Sequence, residues 1–294
     1  MLGLEAVRQH VDASTIEALL LQAVMHDSED AGVLFAVFDS LDVGVLSNDA
    51  ITRLMKAAAR SNKITCMMKL CDLPQALQLS SEELLPVLHK AAQYGSSQCM
   101  SKLCALSAAQ QISSKAAVQL LEAAVYEKSR GPWSRCAPTL CELPGTQKVN
   151  CSELARLLQM AAEHPNFRFI RDVSRLPAAK FVSAGKVAQL LERVMEHPPV
   201  QPGSYLHRLF SGEDFTNGMA TLCRLPSAQD LSSTMMVQLL RTAVERGHDF
   251  GLAELWRLPA ARQLDREVVL QLQRVAAQQS NSRCTDALNR LLST

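Results

Sequence analysis

The chain has 294 residues, enough for two ordinary globular domains, and 48% of them are hydrophobic, so a large core is within reach. Aromatic residues make up only 4%, which leaves Leu, Ala, Val, Met and Cys to fill that core. A net charge of +1 excludes a strong attraction of the whole chain to nucleic acid or to an acidic membrane surface.

The first segment, MLGLEAVRQHVDAS, has neither a basic leader nor a long apolar run, and it carries Glu5 and Asp12. No secretory signal is read there. Nine cysteines without such a signal point to a reduced, intracellular protein of the cytoplasm, the nucleus or an organelle. No stretch is long and apolar enough to span a bilayer, so no membrane insertion is expected. Residues 1–50 hold nine acids and one base, whereas residues 51–150 hold twelve bases and six acids.

A period of about 33 residues then organises everything that follows, a length at which chains build stacked repeats. Equivalent positions fall at Val11, Leu46, Leu79, Ile112, Val149, Val182, Leu231 and Leu264. Most steps match that period. The steps ending at Leu46 and Val149 are slightly longer, and the one from Val182 to Leu231 is much longer. In such a stack each repeat covers its neighbour's apolar face. The expected fold is all-α: a right-handed α-solenoid of about eight helix-turn-helix repeats, forming one domain over 1–294.

The repeat that begins at Leu46 places Arg53, Lys56 and Arg60 on one helical face, a first basic stripe. The repeat from Leu79 shows the pattern most clearly. Ser80 or Ser81 can cap a helix, and Ser80 with Glu83 fits a capping box. Leu84, Leu85, Leu88, Ala91 and Ala92 recur at helical spacing, and Gly95 ends this first helix. Cys99, Met100, Leu103, Cys104 and Leu106 form a shorter second helix. Proline follows the last leucine of most repeats, at Pro74, Pro144, Pro177, Pro226 and Pro259, and predicts a sharp stop followed by a short turn.

Three cysteine pairs share one spacing: Cys66/Cys71, Cys99/Cys104 and Cys136/Cys141. Two helical residues five apart point about 140° away from each other, which suits a shared tetrahedral ion poorly. These thiols are expected to be buried core residues, with no metal and no cofactor.

Two repeats carry added segments between their first and second helices. One lies at about 127–135 and contains Trp133. The other lies at about 196–218 and contains Tyr205, Phe210 and Phe215. Tolerated surface loops are the plain reading. The aromatic residues make a contact element for a partner the sharper one.

The first-helix stripe runs on through Gln119, Glu122, Tyr126, then Arg156, Gln159, Glu163, and its signs nearly cancel. A groove that follows phosphates needs a sustained positive row. This stripe reads instead as a mixed polar face for a protein, with Tyr126 and Arg156 as candidate anchors. A second basic stripe lies on second helices: Arg168, Arg171 and Arg175, then Arg224, Arg257, Arg283 and Arg290, with Asp286 the only acid at those positions. It can serve RNA, an acidic partner or solvent alone, and no aromatic platform is interleaved with it.

The segment VLHKAAQYGSSQCMSKLCAL resembles the ankyrin-type repeat in its Leu-His pair, two alanines, a glycine and an apolar second helix. LLRTAVERGHDFGLAELWRLPAA is similar and carries Gly247-His248 at the matching place. The resemblance covers about 11–292 and implies a binding array. No phosphate-binding glycine loop, metal-binding His-Glu helix or nucleophile elbow occurs, so neither an enzyme nor a small-molecule substrate is expected. The sequence therefore points to a non-catalytic scaffold or adaptor for a protein partner. The alternative is an RNA-binding solenoid within a ribonucleoprotein.

Overall fold

The computed structural model describes residues 12–25, 43–126, 136–197, 212–279 and 281–292. Among them every regular element is a helix. None is long and apolar enough to cross a membrane. The chain divides into two compact bodies, Met1–Lys148 and Val149–Thr294. The division falls at Val149, where a new repeat begins.

Each long first helix starts from a cap placed one residue after the repeat anchor. Ser47, Ser80, Ser113, Asn150, Ser183 and Ser232 each accept a bond from the backbone N–H three residues on. Such a cap is worth about 1 kcal/mol. Ser80/Glu83 and Asn150/Glu153 close full capping boxes. The first helices then bury one face made of a leucine pair and a pair of small residues, for example Leu84, Leu88, Ala91 and Ala92, all fully buried. Alanine at the end of this face lets neighbouring backbones approach closely.

The first helix ends with a left-handed residue at the same place in three repeats. Gly95 has φ 66°, Gly247 has φ 76° and Asn62 has φ 51°. Glycine adopts this conformation without a Cβ clash, and asparagine is among the few residues that tolerate it. The chain reverses there into the shorter second helix, such as Ser97–Cys104 or Asp249–Trp256.

Pro74, Pro177, Pro226 and Pro259 follow sharp stops of the second helices, as expected. They open one-turn helices: Pro74–Leu77, Pro177–Phe181, Pro226–Asp230 and Pro259–Arg262. Proline lacks an N–H that the first helical position does not use, and its fixed φ suits a helix start. A glutamine holds the third turn in three repeats, in Ser107–Gln110, Thr146–Lys148 and the proline-opened Pro226–Asp230. Gln110 donates to the Cys104 carbonyl at 2.8 Å, Gln147 to that of Cys141 at 2.5 Å and Gln229 to that of Cys223 at 3.2 Å.

Within each body, consecutive first helices pack on each other and so do consecutive second helices. Ser81–Tyr94 lies between Asn48–Arg60 and Ser114–Val125, and Ala184–Met195 lies between Cys151–Glu163 and Ser233–Arg246. The six paired cysteines lie buried in the second helices as free thiols. Burial pushes Cys66, Cys71, Cys99 and Cys104 up to about 12.

Candidate functional site

The mixed polar face singled out in the sequence is built by side chains of the first helices. In the C-terminal body they are linked to one another. Gln159 donates to Glu163 at 3.0 Å, and Lys186 of the next first helix donates to Gln159. Arg193 reaches both Glu163 at 3.7 Å and Glu196. Gln238 donates to Glu192 at 3.2 Å, and Arg241 pairs with Glu245 at 2.7 Å. The carboxylates hold Arg193 above the ordinary arginine range. Opposite charges therefore stand side by side along this face and satisfy each other.

Two troughs open on this surface. One, of about 570 Å³, is lined by Thr234, Val237, Gln238, Arg241, Leu264 and Asp265 among others. A smaller one of about 250 Å³ lies over Gln159, Lys186, Gln189 and Glu192. Their walls mix amides, hydroxyls, short aliphatic chains and both charges. Among the described residues, no group of three or more His, Cys, Asp or Glu side chains is placed to hold a metal ion.

In the N-terminal body the three residues of the basic stripe have different surroundings. Arg53 makes a two-pronged pair with Glu17, at 2.5 and 2.8 Å. That contact lowers the Glu17 carboxyl and raises Arg53. Lys56 is half-buried. Arg60 lies 5.9 Å from the centre of the Tyr94 ring, which also receives Lys90 at 5.8 Å. Tyr126 is 49% exposed at the end of Ser114–Val125, and Arg156 is exposed on Cys151–Glu163.

The second-helix arginines differ among themselves. Arg168 and Arg171 are half-buried, and Arg175 is exposed. Arg171 pairs at 3.1 Å with Asp172, whose side chain is buried. Arg257 pairs at 2.6 Å with Glu254. Asp172 and Glu254 lie beside the stripe, not on it, so counting charges along one face missed both.

The second added segment is shorter as a surface feature than expected. The helix Gly212–Cys223 begins inside the interval 196–218. Phe215 is a core residue and not a partner contact, with 8% of its surface exposed. Its ring meets Phe167 edge-on at 5.3 Å and stacks on His248 at 5.0 Å. Helical spacing carries Phe215 inward together with Met219 and Leu222, which are fully buried. Trp133, Tyr205 and Phe210 lie outside the described residues.

Sequence reasoning placed His248 in the repeat but gave neither it nor His197 a contact. His248 Nε2 lies 2.8 Å from the Met195 carbonyl, and His197 Nε2 contacts the Ala162 carbonyl. The ring of His197 also meets Phe167 at 6.2 Å. Ser96 makes the same reach as His248, its hydroxyl donating to the Ala59 carbonyl. Ala59, Ala162 and Met195 occupy one repeat position, at the same interval after the anchors Leu46, Val149 and Val182. The common acceptor was therefore available in the sequence as a periodic position, although its partners vary in type.

No family model matches the chain, and no curated protein matches it.

Proposed function

We propose that this protein is a non-catalytic, intracellular interaction scaffold. The chain forms one array over 1–294, a right-handed solenoid of about eight helix-turn-helix repeats of ankyrin-like character. It binds a protein partner through the polar surface of its first helices. The carrying observation is the mutual pairing of charges on that surface, exemplified by Arg193 between Glu163 and Glu196. A phosphate backbone gains from a row of uncompensated cations, and here Arg193 and Arg241 are already answered by carboxylates. A protein surface with interspersed charges and amides complements such a face, with the troughs giving room for side chains. Tyr126 and Arg156 are of the residue types that most often anchor such contacts.

The test is affinity capture from a cell extract with and without nuclease. Capture of a partner should survive nuclease, vary little with salt, and weaken when Tyr126→Ala or Arg156→Ala is introduced. Capture that disappears with nuclease, or an RNA complex that is lost on reversal of Arg168, Arg171 and Arg175, would establish the RNA-binding alternative instead.

A further inference from the structure

In the C-terminal body one surface position holds the same residue in every repeat. Arg175, Arg257 and Arg290 stand at the same interval after their anchors, Val149, Leu231 and Leu264. Arg224 takes the same place in the repeat from Val182 once the extra length of that repeat's added segment is set aside. All four are exposed. Each sits at or near the C-terminal end of its second helix, and these second helices pack against one another in order. The four residues thus fall in a row, one per repeat.

A cation at a helix C-terminus is favoured by the helix dipole. That cause is insufficient here. The N-terminal body has the same second helices and places Asp72, Ala105 and Glu142 at the equivalent position. The local fold accepts an acid, an alanine or an arginine there, so four arginines in succession are not required by it.

The row has a spacing as well as a sign. Packed helices lie about 8–10 Å apart. A polyproline II peptide advances about 3.1 Å per residue with three residues per turn, so every third side chain returns to one face after about 9.3 Å. Carboxylates at every third residue of such a segment come into register with the arginines, and guanidinium matches carboxylate with two parallel bonds. RNA fits less well. Two turns before the row arginines stand Arg168, Asn217, Phe250 and Arg283, with one aromatic ring among the four, where base stacking needs a sustained platform.

We propose that the row Arg175–Arg224–Arg257–Arg290 is a docking site for an acidic polyproline II segment of a protein partner, with acidic residues at every third position. This rests on the scaffold reading only in taking the partner to be a protein, because it uses a different surface from the first-helix face.

The experiment uses the full chain and a fluorescent peptide of four Glu-Pro-Pro triplets, followed by anisotropy. Controls are the same peptide with Gln for Glu, a peptide of equal charge with Glu at every second position, and a uridine oligonucleotide. The Glu-Pro-Pro peptide should bind at least about tenfold more tightly than either control peptide, and the combined Arg175→Gln, Arg224→Gln and Arg257→Gln variant should lose at least about tenfold. The variant's helical circular dichroism should be unchanged, since the side chains are exposed. Equal binding of the Gln or alternating peptide, full binding by the triple variant, or tighter binding of the oligonucleotide would each overturn the proposal. If the triple variant loses the peptide but still captures its partner from extract, the row fails as that partner's site and the first-helix reading stands. If Tyr126→Ala and Arg156→Ala have no effect while the triple variant loses the partner, the reverse holds.

Discussion

The Nε2 of His248 lies 2.8 Å from the carbonyl of Met195, fifty-three residues earlier in the chain, and joins the second helix of one repeat to the first helix of the repeat before it. The carbonyl accepts, so the neutral ring carries its proton on Nε2. Phe215 stacks on the ring's face. Burial pushes the imidazole below its ordinary value, and the carbonyls of Met195 and His197 together with Asp249 offset this in part. The folded protein therefore binds fewer protons here than the unfolded chain once the pH falls below about 6.5. The stabilisation is present above that pH and declines as the pH drops toward 5. Urea midpoints should fall between pH 7.5 and 5.5, and His248→Gln should flatten that slope. An equal slope in the variant would show that other groups cause it. Asp12, Glu17 and Glu83, whose carboxyls are held low by hydrogen bonds, act only in more acid solution.

Ser96 makes the corresponding junction in the N-terminal body through the Ala59 carbonyl, fully buried. Ser96→Ala should cost about 1 kcal/mol, the net worth of a buried hydrogen bond. Chemical denaturation would register this as a lower midpoint with an unchanged slope.

Cys151 is the one exposed cysteine of the nine. The Cys223 thiol is pushed up to about 12 and Cys284 to about 11 by burial, in the same direction as Cys66, Cys71, Cys99 and Cys104. Thiolate is the reactive form, so native protein at pH 8 should release one equivalent rapidly with an aromatic disulfide reagent. Cys151→Ser should abolish that equivalent, and denaturation should expose the remaining eight. Rapid reaction at two or more sites would contradict the burial.

Gly145 and Gly185 should respond oppositely to alanine. A Cβ on Gly145 would stand 2.5 Å from the Ile112 carbonyl oxygen, whereas one on Gly185 meets nothing within 4 Å. Gly145→Ala should destabilise by about 1–3 kcal/mol through overpacking. Gly185→Ala, within the helix Ala184–Met195, should stabilise by about 0.5–1 kcal/mol. Thermal denaturation of the two variants beside the parent checks both signs.

The features that the sequence determined by itself are local ones. A serine or asparagine one residue past six of the eight anchors caps a helix because its oxygen reaches an N–H three residues away. Gly95 and Gly247 end helices because the left-handed turn is open to them. The cysteines at five-residue spacing read as core residues from their type, since free cysteine behaves as a small apolar side chain, and all six are buried. What only the tertiary structure decided involves partners far apart in sequence. Arg53 reads as a free cation until Glu17 is placed against it, 36 residues away. Phe215 reads as a loop aromatic until Phe167 and His248 enclose it. The prolines read as stops because proline cannot continue a helix, and they prove to be starts as well, because the chain beyond them is held in a turn by bonds such as Gln229 to Cys223. Periodicity states which residues recur. Which of them meet is fixed by the packing of one repeat on the next, where burial and charge pairing act between chain segments that no local spacing connects.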